Sequence, residues 1–442
     1  MPDPSELSHI PHLPTQPLVG HTLLSLRDFL GFAQRNTEAF GEVYRIKMMG
    51  RWRISLTSAE AAEYILMDPD RIFSSQQGWQ DSLGALFPGG LMLRDFDDHR
   101  QHRRIMQAAF RKPAMDSYLS LMAPDLERLV ADWPVDRPFK FYPAIKDLTL
   151  RVGAHVFMGL PADAEGTRAL NRRFIEEIAA AITVVRKPLP LTRFRRGIQA
   201  RAALIARFHA LVAERRGAGG EDFFSQMCRA TDEEGRRWSG AEIADHFNFL
   251  MMAAHDTTAS GLSTMVWALT AHPEWQERLI AEVDALGAGP MTPAMLDAMP
   301  LTDMVFKEAL RLVPPVALIP RVALRDFDWK GVHIPAGHPV AAQLTMVMRS
   351  PKLFTDPDRF DPERFSDTRA EDRRHRFAWA PFGGGAHKCI GLHFGTMQVK
   401  SFIRALLSRT RIKSADGVPV DWKRLPIPQP KGGLPVVLEA RA

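Results

Sequence analysis

The chain has 442 residues, 45% hydrophobic and 24% charged, a globular composition with ample apolar residues for a large core. Its formal net charge is +6, with basic clusters at Arg193–Arg196, Arg215–Arg216 and Arg373–Arg376. No helix-turn-helix signature, zinc-finger spacing or aromatic–basic strand pattern accompanies them, so no nucleic-acid partner is expected; a solvated basic face or a docking face for an acidic partner remains. Cys228 and Cys389 are too few for a disulfide framework, which fits a reduced, cytoplasmic setting. No apolar run reaches the ~18–20 residues that span a bilayer, and residues 1–20 are Pro-rich and polar without a signal-peptide pattern. The expectation is a cytoplasmic chain with no membrane anchor. No Gly/Ser-rich linker interrupts it, so residues 1–20 read as an N-terminal segment and 21–442 as a single domain.

In chain order, Ser25 to Phe40 has helical periodicity, and Glu42 to Thr57 reads as two strands turning at Met49–Gly50. Ser58 is placed to cap a short helix ending before Pro69. Ser74 to Gly90, rich in Gly, Gln and Ser, reads as a long loop. From Asp97 to Leu286 the pattern is mostly helical. It breaks at Val185 to Thr192, where Pro188 and Pro190 mark a candidate lid between two helices. Ser239-Gly-Ala-Glu242 is a capping box, and the helix it opens runs without proline to about Ala271, roughly 50 Å at ~1.5 Å per residue. It is apolar on nearly all sides from Phe247 to Leu269, so it should be buried. A helix over Thr302 to Val313 stops at Pro314–Pro315. Short strands follow at Ala317–Leu324 and Val332–Pro335, and a last helix at Gly391–Ser408. The fold class expected is mainly α with small β-sheets.

The most informative segment is Phe382-Gly-Gly-Gly-Ala-His-Lys-Cys389-Ile-Gly391. Its glycines allow sharp turns and close backbone approach. A thiol next to a helix N-terminus, beside His387 and Lys388, is placed to ionise, and thiolate is the form that ligates iron. Buried filler would not need the glycines, and a phosphate loop would need a different spacing. A nucleophilic cysteine would need a His–Asn or His–Asp relay. The segment matches every fixed position of F-x-x-G-x-[HR]-x-C-x-G, and thereby resembles the haem-binding signature of the cytochrome P-450 superfamily. Phe382, Gly385, His387 and Cys389 are the carried-over positions.

Three further constellations strengthen the resemblance. Glu308-Ala-Leu-Arg311 puts a carboxylate and a guanidinium on one helix face, which alone is a common surface pair. It resembles the family's E-x-x-R, and Phe360-Asp-Pro-Glu-Arg364-Phe365 resembles the loop whose arginine joins that pair; a structural role is implied for Glu308, Arg311 and Arg364. Ala253-Ala-His-Asp256-Thr257-Thr258 sets a carboxylate and hydroxyls within an apolar helix, either as a polar patch on a cavity water or as chemistry. It is similar to [AG]-G-x-[DE]-T-[TS], departing at Ala254. The resemblance implies that Thr257 hydrogen-bonds dioxygen and Asp256 relays protons. His99-Arg-Gln-His-Arg103 could be a basic surface helix; the family's H-x-x-x-R implies that His99 and Arg103 bind haem propionates, with Arg321 and His387 as further partners. Cys228 has no such company and reads as a helix-face residue.

The resemblance covers roughly Leu13 to Leu438 and implies the cytochrome P-450 fold around one haem b, with the axial thiolate from Cys389. The activity implied is monooxygenation: one oxygen atom of O2 enters a hydrophobic organic substrate such as a fatty acid, terpenoid or steroid. Substrate-lining segments expected by position are Trp79–Leu93, Ile178–Phe194, Phe249–Thr257, Val316–Ile319 and Gly432–Leu434. The stretch from Leu189 to Arg201 resembles lids of enzymes acting on sterols and other isoprenoids. No flavin or ferredoxin domain is evident in the sequence, so electrons are expected from a ferredoxin or flavodoxin with its reductase. The alternatives are a hydrogen-peroxide-dependent peroxygenase, whose relatives typically lack the acid–alcohol pair, and a non-enzymatic haem-based sensor.

Overall fold

The computed structural model describes residues 3–161, 165–181, 183, 186–217, 220–231 and 234–441. The first helices and strands are α1 (Thr22–Arg27), α2 (Phe29–Phe40), β1 (Val43–Met48), β2 (Arg51–Leu56), α3 (Ala59–Met67), β3 (Phe73–Ser74) and α4 (Ser75–Leu83). A helical stretch follows: α5 (Phe96–Ala108), α6 (Lys112–Ala131), the short β4 (Phe139–Lys140), α7 (Phe141–Met158), α8 (Glu165–Ala181), α9 (Arg193–Gly217), α10 (Phe223–Arg229), α11 (Gly240–Ala271), α12 (Pro273–Ala285), α13 (Pro293–Asp297) and α14 (Pro300–Leu312). The remainder is β5 (Ile319–Ala323), β6 (Phe327–Trp329), β7 (Val332–Ile334), β8 (Pro339–Ala342), α15 (Leu344–Val347), α16 (Leu392–Leu407), β9 (Thr410–Ser414), β10 (Trp422–Lys423), β11 (Gln429–Pro430) and β12 (Pro435–Ala440). The chain is mainly helical with small sheets.

Local chemistry explains the boundaries. Asp28 splits the expected Ser25–Phe40 helix in two: its backbone leaves the helical region, and its side chain accepts from Gly31 N at 2.9 Å to start α2. Met49 and Gly50 both take positive φ, the twisted two-residue turn that matches paired strands. Ser58 caps α3 through Ala61 N. The capping box of α11 is complete, with Ser239 N donating to Glu242 Oε2 at 2.8 Å and Glu242 N donating to Ser239 Oγ at 3.2 Å. A second expectation fails. The segment Ser74–Gly90 is not a loop throughout, because α4 occupies Ser75–Leu83. Ser74 Oγ accepts from Gln77 N at 3.0 Å, and Gly78 lies so close to the Pro320 carbonyl that a Cβ would sit 2.7 Å from it. Packing and capping override a weak helix-forming sequence there. Of the expected lid, Val185 lies outside the described residues, and Arg186–Thr192 is non-helical chain between α8 and α9.

Two compact units are formed. The first comprises residues 1–79, 304–389 and 421–431. Its sheet has the order β1-β2-β8-β5-β3, with only the β2–β8 pair parallel and Ile54 opposite Val340. Ile54, Leu56, Phe73, Val340 and Ala342 of the sheet are buried together with Ile65 of α3. The second unit comprises residues 80–303, 390–420 and 432–442. Here α6, α7, α11 and α16 pack on one another, joined at one end by the sheet β4-β12-β9. Phe402 of α16 meets Trp133 and Phe141 at ring separations of 5.8 and 6.1 Å. Phe141 and Phe402, both fully buried, contribute about 1.5–3 kcal/mol each. Among the described residues no helix is long and apolar enough to cross a membrane.

Candidate active site

In the first unit the glycine segment folds into a tight loop. Cys389 N donates to Phe382 O at 2.9 Å, closing it. Gly383 and Gly385 take φ of +69° and +60°, where a side chain would be strained. Gly385 is also pressed against α3: a Cβ there would lie 1.9 Å from Leu66 O, inside any permissible contact. The loop is therefore fixed to the helix by backbone approach, and the Cys389 side chain is left exposed. Helix α16 begins three residues later, at Leu392. Phe382, Gly385 and His387 are half-buried along this loop. Gly383 adjoins the Ile319 side chain at the start of β5. Two residues on, Arg321 is buried, with Nη1 donating to Pro320 O at 2.8 Å.

Behind the loop sits a closed charge network. Glu308, Arg311 and Arg364 are each 0% exposed. Arg311 grips Glu308 with two parallel bonds, Nε to Oε2 at 2.6 Å and Nη2 to Oε1 at 2.9 Å. Its other N–H groups donate to the carbonyls of Met348, Pro357 and Arg359. Arg364 donates Nε to Glu308 Oε1 at 3.1 Å and Nη1 to Glu371 Oε2 at 2.9 Å, and it too is completed by carbonyls, those of Thr355, Asp356 and Arg359. Asp361 N donates to Glu308 Oε1 at 2.9 Å. Every guanidinium N–H is used, which is the condition for buried charge to be tolerated.

In the second unit α11 is buried on most sides, but Met252, Ala253, Ala254, Thr257 and Thr258 form a half-exposed stripe. Thr257 Oγ1 donates back to Ala253 O at 2.6 Å. Asp256 is turned away from this stripe and buried. Its Oδ1 lies 2.7 Å from Lys146 Nζ of α7 and 3.1 Å from His255 Nδ1. Burial pushes the carboxyl up, but His255 and then Lys146 outweigh it and hold the group down at about 2. The Lys146 backbone takes part as well, its carbonyl accepting from His255 Nε2 at 3.0 Å. Lys146 keeps 26% of its side chain exposed, so the cluster reaches from the α11 interior to solvent. On α5, His99 is buried and Arg103, one turn later, is half-buried.

Comparison with known proteins identifies this arrangement. A family model described as "Cytochrome P450" matches residues 11–432. The chain belongs to the cytochrome P450 family. It is 40% identical over 435 residues to "Putative cytochrome P450 136" of Mycobacterium tuberculosis, covering 96% of this chain and 87% of that one. It is 29% identical to "Putative cytochrome P450 120" of Synechocystis sp., over 99% of both chains. Among solved structures, "Retinoic acid bound cyanobacterial CYP120A1" superposes with a TM-score of 0.88 at 28% identity, over 98% of this chain and all of that one. Cytochromes P450 are haem-thiolate monooxygenases that bind haem b through a cysteine, and this chain is such an oxidoreductase in kind.

The cytochrome P450 loop residues Phe382, Gly385, His387 and Cys389 fall on one turn of chain, and Glu308, Arg311 and Arg364 converge on one another. Asp256 and Thr257 lie on one helix, with only the threonine on its half-exposed stripe. The chemistry of the donor set fits a haem: of the two cysteines only Cys389 is exposed. Cys228 is buried on α10, where burial pushes its thiol up to about 11. Sequence reasoning missed Lys146 and Glu371. Neither carries a local signal: Lys146 precedes Asp256 by 110 residues, and Glu371 follows Glu308 by 63. Only the packing of α7 on α11, and of the irregular 353–374 segment on α14, brings them in.

Proposed function

We propose that this cytochrome P450 inserts one oxygen atom of O2 into a hydrophobic substrate, and that Cys389 is the residue that would hold haem b, through its thiolate. The observation that carries the reading is that Cys389 is exposed on a loop that glycine contacts hold to α3. Phe382 and Gly385 would cover the ligand side, and His99, Arg103, Arg321 and His387 would bind the propionates, guanidinium being well matched to carboxylate. When bound, the haem supplies the site of oxygen activation, and the thiolate donates electron density toward it. Cys389 holds the sulfur in place through its own N–H bond to Phe382 O. Asp256 stays ionised at neutral pH and is the group that accepts a proton from the solvent side, near Lys146. Thr257 presents its hydroxyl on the half-exposed stripe, where turning from Ala253 O frees it to donate. The same acid–alcohol pair favours O2 over hydrogen peroxide as oxidant.

The substrate class we infer is isoprenoid, a terpenoid or steroid, with fatty acids as the competing class. The apolar members of the stripe, Met252, Ala253 and Ala254, support a hydrophobic ligand. The related cyanobacterial structure is described as binding retinoic acid, itself an isoprenoid acid. Electrons come in this reading from a ferredoxin or flavodoxin with its reductase, docking on the basic surface. The test is twofold. The reduced carbon-monoxide spectrum should show the thiolate-ligated band in the wild type and lose it in Cys389→Ser; an unchanged spectrum overturns the ligand assignment. Titration with retinoic acid, testosterone and lauric acid should give haem spectral shifts for the first two at lower concentration. A shift with lauric acid alone overturns the isoprenoid class.

A further inference from the structure

Helix α8 carries a carboxyl that the reaction above does not use. Glu177 is fully buried, 0% exposed, and faces Asn248 of α11, itself 1% exposed. Asn248 Nδ2 donates to Glu177 Oε1 at 2.8 Å. The remaining oxygen of each group, Glu177 Oε2 and Asn248 Oδ1, is enclosed and has no hydrogen-bond partner among the described residues. Two lone acceptors cannot satisfy each other, and native interiors rarely leave such buried groups unmet. One proton answers both needs. Placed on Oε2 it becomes the donor that Asn248 Oδ1 lacks, and the carboxylic acid and the amide close into a pair with two hydrogen bonds. The charged groups facing Glu177 are Arg201 of α9 and Asp245 of α11, and these neutralise one another at 2.6 Å. Neither therefore stabilises an ionised Glu177 strongly. Burial pushes the carboxyl up to about 8, against the weaker opposing pull of Asn248 and Arg201, which agrees with the geometry.

We propose that Glu177 is a positioning residue, kept as the neutral acid, whose proton-dependent pair with Asn248 latches α8 onto α11. The next residue on each helix, Ile178 and Phe249, opens a segment read above as substrate-lining, so the latch sets the spacing of that wall; this functional consequence rests on the proposed function. Ionisation removes the Oε2–H donor and turns a negative oxygen toward the Asn248 carbonyl, and α8 then loosens.

The variant Glu177→Gln separates the latch from ordinary packing. Its amide offers N–H to Asn248 Oδ1 and C=O to Asn248 Nδ2, the same pair with no proton to lose. Infrared difference spectroscopy of the haem-loaded protein should show a protonated carboxyl band at pH 7 that disappears on titration to pH 10 and is absent from Glu177→Gln. Hydrogen exchange of the α8 amides, corrected for intrinsic rate, should rise about tenfold or more between pH 6.5 and 9.5 in the wild type and stay flat in Glu177→Gln. Asn248→Leu should be fast at both values. Absence of the band at pH 7, or a Gln variant whose α8 loosens with pH as the wild type does, overturns the proposal. Neither readout uses turnover or a bound substrate, so failure of the monooxygenase reading and failure of the latch are told apart.

Discussion

Replacing Glu308 by Gln tests whether stranded charge or lost bonding governs the core behind the cysteine loop. Arg364 would keep Glu371 as a carboxylate partner at 2.9 Å, but Arg311 has no carboxylate other than Glu308 among the described residues. The substitution therefore leaves Arg311, 0% exposed, as a buried cation held only by carbonyls and an amide. Breaking a buried pair in this way costs about 3–5 kcal/mol. That is a large share of the ~5–15 kcal/mol by which folded chains are stable. The double variant Glu308→Gln/Arg311→Met loses more hydrogen bonds yet strands no cation on Arg311. If charge dominates, the double variant is the more stable of the two, with a coupling energy of about 2 kcal/mol or more in the cycle. Urea unfolding followed by circular dichroism, at one fixed haem loading, measures all members. A Glu308→Gln cost below about 1 kcal/mol, or costs that simply add, would refute the reasoning.

Gly385→Ala should destabilise the cysteine loop, because its Cβ would strike Leu66 O at 1.9 Å and φ is +60°; haem retained after gel filtration should fall well below that of the wild type. Asp256, held at about 2 against an ordinary 3.8, contributes about 2 kcal/mol that is fully present above pH 3.8 and lost as pH falls through 2. Lys146→Met removes one of the two groups holding it down, so acid unfolding should begin at higher pH, and an unchanged acid limb would show that Lys146 does not act on Asp256. Thr257→Ala should leave spectral ligand binding within about twofold while hydrogen peroxide release per electron consumed rises severalfold, a ratio read from oxygen and peroxide electrodes. Glu177 has the opposite sign: the fold keeps its proton up to about pH 8, whereas the unfolded chain releases it near 4.5. Stability from this group is therefore full below 4.5 and declines as pH rises through 8. Glu177→Gln should flatten that decline in unfolding curves taken between pH 5 and 9.

How far the sequence reached is clearest at α11 and the cysteine loop. The capping box at Ser239, the proline beyond Ala271 and the unbroken apolar run fix one long buried helix from local rules alone, and the structure has it over Gly240–Ala271. The spacing around Cys389 likewise requires a tight glycine loop ahead of a helix, since φ preference and chain length act within ten residues. Ser74–Gly90 shows where such rules stop. Its composition argues for loop, yet a cap from Ser74 and a backbone contact at Gly78 wind part of it into α4.

Charge pairing is the other boundary. The i,i+3 spacing put Glu308 and Arg311 on one face, and a family resemblance was needed to add Arg364. Glu371 and Lys146 had no signal in the chain. Electrostatic partners are selected by distance in space, and the low dielectric of the interior decides which of them matter. The sequence alone determined most of the element pattern, the mostly buried α11 and the cysteine motif, because those follow from neighbours along the chain. Only the tertiary structure decided that Asp256 meets Lys146 and that Glu177 meets Asn248, because both depend on how helices far apart in sequence pack and shut out water.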